Sequence, residues 1–397
     1  MPLASRRNQL AKFSPAKFES VALLLQGGGA LGAYQAGVYE ALAEDGIQPN
    51  WLAGISIGAI NCAIIAGNPP EKRVERLRQF WELVTADRPG WPGTPAFLRP
   101  VEFPKAIQGD LARSVLNHAS AGMALFQGVP GFFSPRFPLP WAYPIGTSAA
   151  TSFYDTGKLE KTLEELVDFD LINAKNGIRI SIGAVNVRSG NFAYFDTSTH
   201  VIESRHIMAS GALPPAFPAV EIDGEYYWDG GVVSNTPLQW VLDNTPRQDT
   251  LAFQVDLWNA RGELPGNVAQ VETRRKEIQY SSRTRAGTDS FKYAQRMRNA
   301  IASLLEKLPA DLKESEEAKL LHANAERKIY NIVHLIYHAR NYEGHAKDYE
   351  FSRVSMEAHW RAGYNDTRRT LRHLNVFGLA TNEEGVVTFD LEHDGRE

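Results

Sequence analysis

Twice within the first seventy residues, a short apolar run breaks at a glycine-bounded turn and resumes as small and apolar residues at helical spacing. The first run, residues 21–25 (VALLL), ends in Gln26 and three glycines, and helical spacing then covers residues 33–42 up to a stop signal at Gly46. The second, residues 51–53, enters Gly54-Ile55-Ser56-Ile57-Gly58 and continues into helix-compatible residues 59–66. A strand, a tight turn and a helix repeated at this interval build βαβ units, whose parallel strands are covered by helices on both faces. That constrains the chain to the α/β class. Residues 178–187 and 251–257 predict further strands, and Asp223-Gly224 between residues 220–222 and 226–228 predicts a hairpin.

Composition acts mainly by exclusion. A chain of 397 residues has room for two or three domains and buries enough surface to need no staple. Cys62 is the one cysteine, which rules out an intramolecular disulfide and a Cys-rich zinc site. A net charge of −4 argues against a globally basic nucleic-acid binder. The start of the chain has basic residues without the apolar core of a secretory signal, and residues 21–25 and 53–66 fall short of the roughly 20 apolar residues of a bilayer span. The expectation is a cytoplasmic protein, with peripheral contact at the inner membrane surface left open.

Two segments interrupt the alternation of strand and helix. Residues 89–144 carry ten prolines and many aromatics, culminating in FQGVPGFFSPRFPLPWAYP. Prolines fix φ and remove donors, so an irregular but ordered cover over the domain is expected there. Beyond residue 260, Arg, Lys, Glu and Ala dominate and helical patterning prevails. After a break at Pro309, a helix is predicted over residues 318–338, with His334 and His338 on its surface, and a last strand or two within residues 376–391. The division is then a flexible tail (1–19), an α/β domain (20–260) and a mainly helical C-terminal extension (261–397). Arg274, Arg275, Lys276, Arg283, Arg285, Lys292, Arg296 and Arg298 read as a solvated helix face, or as a contact with anionic lipid. Ile329, Ile332, Val333, Leu335 and Ile336 read as a face that docks on the α/β domain or on a second subunit.

Ser56 stands between two glycines at a strand-to-helix turn, where a hydroxyl projects above the sheet and nearby backbone N–H groups face a developing oxyanion. A helix N-cap would explain the serine but not both glycines. Gly27, Gly28 and Gly29 precede the first helix, and consecutive glycine amides at a helix N-terminus form an anion-binding nest. The spacing Gly27-x-Gly29-x-x-Gly32 also satisfies the dinucleotide fingerprint of an oxidoreductase, yet the second strand ends in the Ser56 turn and not in the acidic residue that fingerprint requires. Close strand–helix packing alone is a third reading of the same glycines. Both loops leave the C-terminal edge of one parallel sheet, which favours an oxyanion hole serving Ser56. For the base, His200 and His206 follow Ser56 in sequence, but neither is framed by a turn, and His206 reads as a capping or packing residue. Asp229 ends the returning hairpin strand just before Gly230-Gly231, and a desolvated aspartate can itself act as general base.

In this order and at these separations, GGGALG, GISIG and DGG resemble the signature of the patatin-like phospholipases. The stretch ASGALPPAFPAVEIDGEYYWDGG, residues 209–231, is similar to that family's approach to its catalytic aspartate. The resemblance covers about residues 20–260 and implies a three-layer fold with a central, mostly parallel sheet flanked by helices. It implies a Ser–Asp dyad without histidine, Ser56 being the nucleophile, Asp229 the general base, and the backbone of Gly27, Gly28 and Gly29 the oxyanion hole. The implied reaction is hydrolysis of lipid carboxylic esters through an acyl-enzyme, as in phospholipases A and lipases, with no cofactor and no metal. Lipid or another acyl ester is then the partner, not nucleic acid. Short-chain esters or an intracellular polyester are alternative substrates, and a catalytically weak lipid-binding protein is the alternative outside catalysis. Phe132, Phe133, Phe137, Trp141 and Tyr143 become candidates for acyl-chain contact, and the C-terminal helices for contact within a homo-oligomer. The resemblance departs at Leu31, where members commonly carry Arg or Lys. The C-terminal part resembles an extension found on some bacterial patatin-like proteins and carries no role over.

Overall fold

Ser20–Leu25 (β1) is buried along its whole length, so its sequence is a continuous apolar run without the alternation of a one-sided strand. It lies inside the main sheet of the computed structural model, which describes residues 18–86, 110–281, 284–340 and 342–390. From β1 the chain passes through Ala33–Glu44 (α1), Trp51–Ile55 (β2), Ile57–Ala66 (α2) and Arg73–Val84 (α3). Asp110–Gln127 (α4) and a small antiparallel ribbon of Ser134–Pro135 (β3) with Tyr154–Asp155 (β4) follow. Next come Gly157–Leu166 (α5), Arg179–Asn186 (β5), Phe192–Asp196 (β6) and Ser204–Ser210 (α6). The hairpin of Val220–Ile222 (β7) and Glu225–Asp229 (β8) leads to Leu238–Asp243 (α7) and Thr250–Asp256 (β9). The C-terminal region supplies Val268–Tyr280 (α8), Thr284–Lys307 (α9), Glu316–His322 (α10), Tyr330–Ile336 (β10), Arg353–Thr370 (α11) and Val386–Asp390 (β11).

The strands stand in the order β11-β10-β9-β1-β2-β5-β8-β7, with β6 also on β5. Pairing from β11 across to β5 is parallel, and the β6, β7 and β8 pairings are antiparallel. Successive side chains of β1 enter opposite layers. Leu23 and Leu25 join the larger core with residues of α1, α2, α3 and α11, whereas Ala22 and Leu24 pack with Leu238 and Leu242 of α7 and Phe291 of α9. Helices therefore cover both faces of the sheet, as a parallel sheet requires.

The C-terminal region has strands as well as helices, and one expectation fails there. Residues 318–338 do not form a helix: α10 ends at His322, and β10 pairs in parallel with β9 and with β11. Ile332, Val333 and Leu335, expected on a docking face, are buried within the sheet, and His334 belongs to a strand. The helix α11 returns against α1 at a crossing where glycines meet. A Cβ on Gly37 would stand 1.9 Å from the Trp360 carbonyl oxygen, and one on Gly363 would stand 2.0 Å from that of Tyr34. Residues 1–17 of the expected tail, residues 89–109 of the proline-rich segment and the two residues before it, Arg283 and the charged residues past 390 lie outside the described residues.

Candidate functional site

Ser56 follows β2 with φ 56° and ψ −124°, a conformation that non-glycine residues rarely adopt and that costs about 1–3 kcal/mol. The flanking glycines make the turn possible. A Cβ on Gly54 would lie 2.5 Å from the Gly58 carbonyl oxygen, and one on Gly58 would lie 2.2 Å from that of Leu25. A second serine holds the turn in place: the Ser210 hydroxyl at the end of α6 accepts the Ser56 amide at 2.9 Å and donates to the Gly183 carbonyl at 2.6 Å. The Ser56 side chain thus sits at the N-terminus of α2, where the helix dipole favours negative charge.

Strand β5 brings the aspartate to it. Gly183 pairs with Ile55, and the next residue, Ala184, pairs with Asp229, so the last residue before the serine turn and the last residue of β8 meet adjacent positions of one strand. The Asp229 carboxylate is buried, accepts the Gly231 amide at 2.7 Å and lines the same cavity as Ser56. Desolvation pushes its pKa up to about 6, against the opposing pull of the nearby Ser56 hydroxyl and the Gly231 amide. A carboxyl group poised there is ionised at neutral pH and basic enough to receive a proton.

The glycine loop completes the arrangement. The Gly27 carbonyl accepts Asn235 Nδ2 at 3.0 Å and Trp258 Nε1 at 2.9 Å. In a trans peptide the N–H lies opposite the carbonyl, so the Gly28 amide is turned away from both of these donors. The Ala30 amide is used by the Asp348 carbonyl and the Leu31 amide by that of Gly28, while the amides of Gly28 and Gly29 have no protein acceptor among the described residues. The Gln26 side chain secures the base of the loop, donating to the Tyr280 carbonyl and accepting the Leu257 and Trp258 amides.

Gly27, Gly28, Gly29, Ser56 and Asp229 all line one cavity of about 210 Å³. Its apolar wall includes Ile60, Phe132, Phe133 and Phe217. Two of the five aromatic candidates for acyl-chain contact, Phe132 and Phe133, thus line the cavity. The other three aromatic candidates lie off the cavity, Phe137 and Trp141 being 93% and 75% exposed. Neither His200 nor His206 lines the cavity, and His206 caps α6 by accepting the Glu203 amide on Nδ1.

No match is found among curated proteins. Among solved structures, VipD from Legionella pneumophila is similar at a TM-score of 0.40 and 14% identity, over 89% of this chain and 67% of that one. The family model described as patatin-like phospholipase matches residues 23–242, more than half of the chain. The chain belongs to the patatin-like phospholipase family. A second model, described as patatin phospholipase, matches residues 278–382. Membership places this patatin-like chain among carboxylic ester hydrolases and implies lipid acyl hydrolase activity. Among the described residues, no helix is long and apolar enough to cross a membrane.

Several residues of this patatin-like site escaped the sequence. Gln26, Ser210, Asn235 and Trp258 hold its two loops, and only Gln26 and Ser210 lay within stretches that had drawn attention. Leu31 is fully buried in the core and brings no charge to the site. Four of the eight basic residues expected on a solvated face form ion pairs among the described residues: Arg274 with Glu277, Arg275 with Glu272, Lys276 with Asp348, and Arg298 with Asp243.

Proposed function

We propose that this patatin-like chain hydrolyses lipid carboxylic esters through a Ser56–Asp229 dyad and an acyl-enzyme. The observation that carries the reading is that the Ser56 side chain and a buried carboxylate line one cavity, beside two glycine amides with no acceptor among the described residues. In the first step Asp229 takes the hydroxyl proton as Ser56 Oγ attacks the ester carbonyl carbon. Negative charge gathers on the former carbonyl oxygen, where the Gly28 and Gly29 amides can receive it. Collapse expels the alcohol, which recovers the proton from Asp229. Water then attacks the acyl-enzyme with the same carboxylate as base, and a fatty acid leaves. The apolar wall of the cavity suits an acyl chain.

Access from a lipid surface fits the exposed apolar residues Phe137, Leu139, Trp141 and Ile145, which follow the cavity-lining Phe132 and Phe133 in the chain. A fluorophosphonate probe tests the chemistry: wild type becomes labelled, Ser56→Ala does not, and Asp229→Asn labels far more slowly. Labelling of Ser56→Ala at the wild-type rate rejects the nucleophile. For the surface, Phe137→Asp combined with Trp141→Asp should slow hydrolysis of phosphatidylcholine vesicles at least fivefold and leave a soluble short-chain ester unaffected. Equal rates on vesicles for variant and wild type reject the contact.

A further inference from the structure

Trp258, Tyr280, Asp348, Tyr349 and Phe351 line the cavity from beyond residue 242, where the match to the patatin-like domain ends. Asp348 touches the glycine loop itself. Its main-chain carbonyl accepts the Ala30 amide at 2.8 Å, and the same oxygen would stand 2.1 Å from a Cβ on Gly29, whose φ is +55°. Asp348 lies in a turn, so its own backbone ladder does not fix it. Lys276 of α8 does. Its Nζ donates to both Asp348 carboxylate oxygens, at 2.6 and 2.8 Å, and to the His345 carbonyl at 3.1 Å. One residue along each segment, Lys347 Nζ donates to Glu277 at 2.7 Å. Trp258 is close to both ammonium groups, 5.9 Å from Lys276 and 5.2 Å from Lys347 to the ring centroid, while its indole N–H holds the Gly27 carbonyl. These pairs are largely shielded from solvent, so they are screened less than surface pairs and their geometry is charge-assisted.

The contacts form a chain of support: α8 holds Lys276, Lys276 holds Asp348, and the Asp348 carbonyl seats the loop through Ala30. Seated this way, the loop has spent the Ala30 amide and kept those of Gly28 and Gly29. We propose that Lys276 and Asp348 are positioning residues for the oxyanion hole, so that the C-terminal region of the chain completes the catalytic site. This rests on the reading of Ser56 as nucleophile.

The test uses the full chain and four variants: Lys276→Met, Asp348→Asn, both together, and Lys276→Arg. Turnover of a soluble nitrophenyl ester is measured beside the affinity of an aliphatic trifluoromethyl ketone, which Ser56 converts into a hemiketal oxyanion, and beside thermal melting. Loss of a whole oxyanion donor costs about 10²–10³ in rate, so a loosened one should lower kcat by about 10–100-fold. The ketone should weaken by a similar factor while KM stays within about twofold, because only the oxyanion state is affected. The double variant should be no worse than the poorer single variant, and Lys276→Arg should recover most of the rate. If a single variant melts below the assay temperature, the double variant, which leaves no unpaired charge, serves in its place. The proposal is overturned if folded variants keep kcat and ketone affinity within about threefold of wild type, or if activity falls only as far as the folded fraction does. A wild-type protein that neither cleaves the ester nor binds the ketone overturns the Ser56 reading, and the positioning role with it.

Discussion

Burial raises Asp229 to about 6, with the nearby Ser56 hydroxyl and the Gly231 amide pulling the other way, and the same shift sets both a rate and a stability. In the proposed role of general base the carboxyl must be ionised, so kcat/KM on a soluble ester should rise with pH through an apparent pKa of about 6. A flat profile between pH 5 and 8 would remove Asp229 from that role. For stability, the folded state binds this proton more tightly than the unfolded chain, whose aspartate titrates near 3.8. The resulting stabilisation is full below pH 4 and is lost as pH rises through about 6, leaving a cost of about 3 kcal/mol above that. Asp229→Asn should accordingly melt at a higher temperature than wild type at pH 8, and the difference should vanish near pH 4, while turnover is abolished. Ser56 and Asp229 were legible because their constraints are local: a turn that only glycines permit, and a hairpin whose far end is fixed by Asp223-Gly224. Ser210 and Asn235 were not, since they act on residues 154 and 208 positions away and carry no pattern of their own.

At the scale of elements, β10 shows where periodicity fails. Its burial is nearly continuous between β9 and β11, so no alternation of two distinguishes YNIVHLI from a stretch of buried helix. The β-branched residues Ile332, Val333 and Ile336 were the available signal, and the charged residues upstream masked it. The crossing of α1 with α11 was illegible for another reason: it depends on a glycine in each helix meeting the other's backbone. Gly37→Ala and Gly363→Ala would each gain helix propensity of up to about 1 kcal/mol, yet force the backbones apart. Each should destabilise the chain by about 3 kcal/mol overall in urea unfolding. A neutral result at both positions would mean that the two helices do not pack this closely.

Composition changes near residue 260, while the main sheet and the cavity wall continue past it. Ending the chain there would strip β9 of β10, expose α1 where α11 now lies, and remove the cavity wall made by Tyr280, Asp348, Tyr349 and Phe351. A fragment of residues 1–260 should therefore accumulate as aggregate, driven by the open edge of β9 and its apolar flanks. A soluble fragment with a cooperative melt would show that the extension is dispensable for folding. The arrangement of Asp348 on the glycine loop also orders events during synthesis. The ribosome delivers the Ser56 turn about three hundred residues before the segment that seats its partner loop, at about 5–20 residues per second. On the proposed role of Asp348, a nascent chain lacks a seated glycine loop until residue 348 has emerged.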